Sequence, residues 1–149
     1  MKKLLTILTI TAVVFAACSK TKKLHKRLAT KWNITTKDYQ FYYNNVLTPS
    51  QTYNVSAKGS IELKSDGTGT ISDPTNANGD LVVYTVTDWF NDEGHLSILV
   101  KDQNAKVNQL TFDVTGNEAE KQVWYNEFNQ ATIAGIVQTK TTYTLAIAK

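Results

Sequence analysis

Residues 59–72, GSIELKSDGTGTIS, constrain the fold of this chain more than any other stretch. Ile61 and Leu63 alternate with Glu62 and Lys64, so one face of the segment is apolar and the other polar. Asp66-Gly67 then supplies a tight turn, and Thr68, Thr70 and Ile71 start back. Glycine takes the positive φ that such turns need at no steric cost, so the segment reads as an antiparallel hairpin.

The rest of the chain repeats that pattern. Lys31–Thr36 opens the series, with Trp32 and Ile34 on one face. Residues 38–46 are aromatic-rich, with Tyr39, Phe41 and Tyr43 sharing a parity, and Asn44-Asn45 and Pro49-Ser50 mark turns. Residues 52–57 and 59–64 read as one long strand bent at Gly59. Residues 73–80, DPTNANGD, read as a loop. Leu81–Phe90 is the strongest strand; Val83, Thr85, Thr87 and Trp89 form one face, and Val82, Tyr84, Val86 and Phe90 the other. Strands over residues 95–101 and 106–114 follow. Residues 118–130 read as a strand in preference to a helix that would align Trp124 with Phe128. Residues 131–139 and 141–148 form the closing pair. No helix of useful length alternates with these strands, which disfavours a parallel sheet. The expected fold is all-β, an antiparallel meander closing into a barrel of about eight strands, because closure removes the exposed edges of an open sheet.

The N-terminus belongs to targeting. Lys2 and Lys3 precede an apolar run, Leu4–Ala17, that falls short of the roughly 20 residues of a membrane span. Phe15-Ala16-Ala17-Cys18 ends that run and resembles the lipobox of bacterial lipoproteins. The resemblance implies a diacylglycerol thioether on Cys18, cleavage before it, and a further acyl chain such as palmitate on its amino group. It divides the chain into a signal peptide (1–17), a lipidated basic linker with a short helix (18–30) and a barrel domain (31–149). Cys18 is the single cysteine, so intramolecular disulfides and cysteine metal or redox sites are excluded.

The formal charge of +3 hides a split. Residues 20–37 carry seven Lys or Arg and no acidic group; residues 38–149 carry seven Lys against thirteen Asp or Glu. The acidic body and the export signal together argue against a nucleic-acid partner. In the basic leader, Leu24 and Leu28 stand four apart on one side of a short helix. The surrounding lysines either meet anionic headgroups or keep a tether solvated.

The order of these parts resembles the small lipocalin-like lipoproteins of Bacteroidetes-type bacteria. A lipobox cysteine is followed by Lys31-Trp32-x-Ile34, then Ser65-Asp66-Gly67-Thr68-Gly69-Thr70, then Asp88-Trp89-Phe90 with Leu96-x-Ile98, then a hydrophobic C-terminal strand. Thr30 stands where lipocalins usually carry the glycine two places before the first-strand tryptophan. The resemblance implies an antiparallel barrel with an apolar cavity, and a short helix closing one end through Leu24 and Leu28. Members mostly lack an assigned activity.

No reaction centre is visible. Asp66, Asp73, Asp80, Asp92, Glu93, Asp102 and Glu118 flank turns and read as solvated. His25 and His95 lie too far apart in sequence for a ligand cluster by spacing, no HExxH or GxSxG occurs, and residues 73–80 do not match an EF-hand. No cofactor or metal is expected, and the chain reads as a non-enzyme, with a hydrolase or other enzyme as the minor alternative. The expected function is a noncatalytic, membrane-anchored lipoprotein binding an apolar or amphipathic small molecule in its barrel, with Trp89 and Tyr84 as cavity probes and no buried charge. The alternative is a filled barrel serving as a structural or protein-binding envelope module. Ser19 after Cys18, and the absence of an acidic run behind it, point to the periplasmic side of the outer membrane.

Overall fold

The computed structural model describes residues 21–148; the signal segment and Cys18 lie outside the described residues. A helix, α1 (residues 21–28), precedes ten strand segments. These are β1 (Lys31–Tyr43), β2 (Val46–Leu47), β3 (Tyr53–Ser56), β4 (Ser60–Leu63), β5 (Gly69–Pro74), β6 (Leu81–Asp92), β7 (His95–Lys101), β8 (Val107–Asn117), β9 (Lys121–Thr132) and β10 (Gly135–Ile147). All pairings are antiparallel; β4 to β10 pair in sequence order, β2, β3 and β4 each pair with β1, and β10 returns to pair with β1 from Trp32↔Ile147 to Tyr43↔Val137. Segments β2, β3 and β4 lie in succession along the same edge of β1 and act as one interrupted strand. The result is the expected meander closed into an eight-stranded barrel, with one short N-terminal helix.

Local chemistry explains the joins. Asn44 and Asn45 both adopt positive φ, 49° and 64°, as a two-residue hairpin turn requires. Between β3 and β4 the chain kinks at Gly59, whose φ is 89°; a Cβ there would sit 2.3 Å from the Ser72 carbonyl oxygen. The Asp66-Gly67 turn joins β4 to β5 in the register Ile61↔Ile71, and Asp66 Oδ1 accepts from the Thr68 amide at 2.9 Å.

Three register shifts reset which side chains face inward: at Ile34/Thr36 in β1, Val86/Asp88 in β6 and Val114/Gly116 in β8. An extra residue in one strand flips the parity beyond it. This corrects the expected face of β6. Val83, Thr85 and Thr87 are exposed, whereas Tyr84 and Val86 turn inward before the shift and Trp89 and Asn91 after it. Two other expectations are corrected. The closing turn falls at Ile133-Ala134, between β9 and an unbroken β10, because the long ladder Gly135↔Thr132 to Ala146↔Lys121 outweighs the weak turn character of those two residues. Asp73 and Pro74 belong to β5, paired with Val82 and Leu81, so the loop starts only at Thr75.

The barrel has a solid end and a hollow end. Trp32, Leu63, Trp89, Ile98, Trp124 and Leu145 are buried in one cluster at the end where β1 begins. Helix α1 closes that end: Leu24 and Leu28 join the cluster, the four-residue spacing putting both on one face. His25 stacks on Trp89 at 4.3 Å between ring centroids, and Arg27 donates to the Asn117 carbonyl at 2.7 Å.

Candidate functional site

Above the solid end the interior opens into a cavity of about 380 Å³. Its apolar lining comes from Ile61 and Ile71 on one wall and Leu110 and Phe112 on another. Its polar lining centres on Lys37 of β1 and Asp73 of β5. The register shift at Thr35 brings Lys37 inward, and Asp73 follows Ile71 by two residues on the same inward row.

Lys37 and Asp73 form a buried ion pair, with side chains 5% and 15% exposed. Lys37 Nζ donates to Asp73 Oδ1 at 2.9 Å, to Oδ2 at 2.8 Å and to the Pro74 carbonyl at 2.7 Å. These contacts use all three ammonium protons. The Tyr143 hydroxyl donates to Asp73 Oδ1 at 2.8 Å, and the Tyr143 ring lies 5.3 Å from Nζ. This corrects the expectation that the interior needs no buried charge and that Asp73 is a solvated turn residue: β5 carries Asp73 inside, where a lysine and a phenol compensate its desolvation.

Burial pulls the Lys37 ammonium below its ordinary pKa, while the charge and hydrogen bonds of Asp73 oppose that shift. Burial, then the Asp73 charge and the hydrogen bond to it, push Tyr143 well above its ordinary pKa. Tyr84 is raised by burial and by the charges of Asp73 and Asp102, and Tyr39 by burial. The phenols are therefore neutral donors at physiological pH. The hydroxyls of Tyr39 and Tyr84 have no hydrogen-bond partner among the described residues, and both side chains line the cavity. The site thus offers a neutral, internally paired charge cluster, two free phenol hydroxyls and an apolar surround. Lys37 has no free proton or lone pair with which to attack a substrate, so the arrangement suits binding and orientation.

The two residues singled out from the sequence lie in different places. Tyr84 is on the cavity wall. Trp89 is in the solid end, its Nε1 donating to the Lys64 carbonyl at 2.7 Å and its ring covered by His25. Sequence reasoning missed Lys37 and Asp73. The usable signals were a lysine inside an aromatic-rich strand and an aspartate in register with Ile71. Among the described residues no group of three His, Cys, Asp or Glu could hold a metal ion, and no helix is long and apolar enough to cross a membrane.

No protein-family model matches the chain, and no curated protein matches it in sequence. Among solved structures it is similar to a lipocalin-like protein from Bacteroides uniformis, at 14% identity and a TM-score of 0.46, over 82% of this chain and 99% of that one. The class of fold rests on the strand pairing itself: an up-and-down antiparallel barrel closed by β1 and β10.

Proposed function

We propose that this protein is a noncatalytic barrel that binds a small amphipathic molecule bearing a neutral polar group. The observation that carries this reading is the 380 Å³ cavity with a satisfied Lys37–Asp73 pair and two unpaired phenol hydroxyls. The volume lies within the ~300–1,000 Å³ range of small-molecule sites and far exceeds the ~30 Å³ share of one water. A neutral oxygen accepts from Tyr39 or Tyr84 without breaking the ion pair. A carboxylate would face Asp73, and an ammonium would face a lysine already paired. A barrel filled by its own side chains, the competing role as a structural or protein-binding module, has no use for such a space.

Native mass spectrometry after gentle purification, followed by solvent extraction, tests the reading. A retained neutral amphiphile supports it. A ligand-free protein that also binds neither dodecan-1-ol nor hexan-1-ol refutes it. Tyr84→Phe keeps the cavity's shape and removes one donor, so dodecan-1-ol affinity should fall by about 3- to 10-fold, the ordinary worth of one hydrogen bond.

The same proposal places the barrel at a membrane through acylated Cys18, on the periplasmic face of the outer membrane. The support is the small-small-cysteine site behind a short apolar run. Two or three acyl chains give stable anchoring at about 0.8 kcal/mol per buried methylene. Intact mass decides the anchor: a mature chain starting at Cys18 without added lipid mass refutes it, and Cys18→Ser should abolish lipid attachment. Digestion of the barrel by protease on intact cells would move it to the outer surface.

A further inference from the structure

The wall of the barrel is not continuous. Strands β8 and β9 pair only over Asp113↔Tyr125, Val114↔Trp124, Gly116↔Val123 and Asn117↔Gln122. Beyond Asp113 the two strands part. Residues 107–112 of β8 pair with β7, and residues 126–132 of β9 pair with β10, but the facing edges carry no ladder. One side-chain bridge spans the gap, from Asn126 Nδ2 to the Thr111 carbonyl at 2.7 Å.

The cavity reaches this seam from inside. Gln109, Leu110 and Thr111 line it from one edge, and Asn126, Glu127 and Phe128 from the other. A second depression, of about 280 Å³, lies at the same strands and is lined by His95, Ser97, Asp113 and Tyr125. The two spaces share Thr111, Phe112, Asn126 and Glu127, so they meet across the seam. None of the loop residues 44–51, 75–80, 102–106 or 133–134 lines the cavity. Phe128 has the inward parity of buried Gln122 and Trp124, yet is 51% exposed, because the wall beside it is missing.

We infer that the seam between β8 and β9 is the exit of the binding site, and that the ligand is a single-chain amphiphile whose polar end meets the tyrosines and whose chain leaves sideways over Phe128. This rests on the cavity being a binding site, as proposed above. The strand order sets the polarity of the pose: β9 lies opposite β5, which carries Asp73, and β1 and β6, which carry Tyr39 and Tyr84, each stand two strands from the nearer strand of the seam. The small volume sets the shape, since a long chain with its head at Tyr84 outgrows 380 Å³ and must leave where the wall is open.

The test uses the full chain in membranes and a twelve-carbon primary alcohol with a diazirine at its far end. After irradiation, the labelled residues are mapped, and competition by excess dodecan-1-ol identifies labelling that belongs to a site. A capturing carboxylate stands at either exit: Glu127 at the seam, and Asp80 and Asp102 at the loop end. Competable labelling concentrated on residues 107–112 and 126–130 is expected. Competable labelling at the loops overturns the lateral exit and leaves the cavity reading standing. Absence of any competable labelling, together with absence of dodecan-1-ol binding, overturns both. Phe128→Arg, at the half-exposed rim of the cavity, should weaken dodecan-1-ol about tenfold and hexan-1-ol clearly less, because only the longer chain crosses that rim. Equal weakening of the two alcohols would show that the longer chain makes no extra contact at this rim and overturn the exit.

Discussion

Replacing Asp73 with asparagine isolates the energetic centre of the hollow end. The substitution keeps size and shape but removes the charge that compensates Lys37. Breaking a buried pair by removing one partner costs about 3–5 kcal/mol. The Pro74 carbonyl still accepts from Nζ, and Asp73 retains some exposure, so about 3 kcal/mol is expected. With an m-value of about 1.5 kcal/mol/M, the urea midpoint drops by about 2 M. The pH dependence gives an independent check. In the folded protein Lys37 already sits below its ordinary pKa, and loss of Asp73 removes the charge that opposes burial. The folded state then holds fewer protons than the unfolded chain, whose lysines titrate near about 10.4. Stability of the variant therefore rises with pH between the lowered folded pKa and that value, more steeply than in the wild type. Measurements belong below about pH 10, before the unfolded phenols ionise. Above that window, folded-state retention of protons on Tyr39, Tyr84 and Tyr143 works the other way, because the unfolded phenols ionise near about 10. Tryptophan fluorescence during urea unfolding reads both effects, and the double variant Lys37→Met/Asp73→Leu should recover most of the loss. An Asp73→Asn midpoint within about 0.3 M of the wild type, with an unchanged pH slope, would refute a dependence of Lys37 on Asp73.

Two further outcomes test the frame. Leu28→Ala, in the fully buried plug of α1, should cost about 3 kcal/mol in urea unfolding, and a cost below about 1 kcal/mol would mean that the helix does not seal the barrel. Gly67→Val should cost about 1–3 kcal/mol by the same assay, because Gly67 has φ of 89° and its new Cβ would meet Asp88 Oδ1 at 3.0 Å; a neutral result would refute the turn geometry.

What the sequence made legible follows from how local each signal is. The Asp66-Gly67 hairpin, the pairing of Leu24 with Leu28 and the inward placement of Trp32 and Ile34 depend on residues within one turn or one strand, and all three are found in the structure. Lys37 was hidden by the register shift at Thr35, and Trp89 by the shift at Thr87, since a period-two reading continues the old parity past an extra residue. Asp73 was hidden by its neighbours: Pro74 at the end of a strand looks like the start of a loop. The end of β9 was misplaced because Ile133 and Ala134 form a turn without turn residues. The cavity and the seam depend on which strands fail to pair, a property of two distant segments that neither carries alone.

Most of this barrel has no edges, so most of it cannot recruit a foreign strand. Beside the outer sides of β2 and β3, which pair only with β1, the parting of β8 and β9 leaves two longer edges, residues 107–112 and 126–132, each with backbone donors and acceptors on its open side. Their guard is chemical. Asn108, Gln109, Asn126, Asn129 and Gln130 make the rims hydrophilic, and Glu127 stays ionised because the Tyr125 hydroxyl, the Asn129 and Gln138 amides and the Lys140 charge hold its carboxyl below the usual range. Glu127 is the only acidic side chain on the open edge of residues 126–132. Neutralising it by Glu127→Gln would leave an uncharged strand edge beside exposed Phe128, the kind of edge that adds strands from neighbouring molecules.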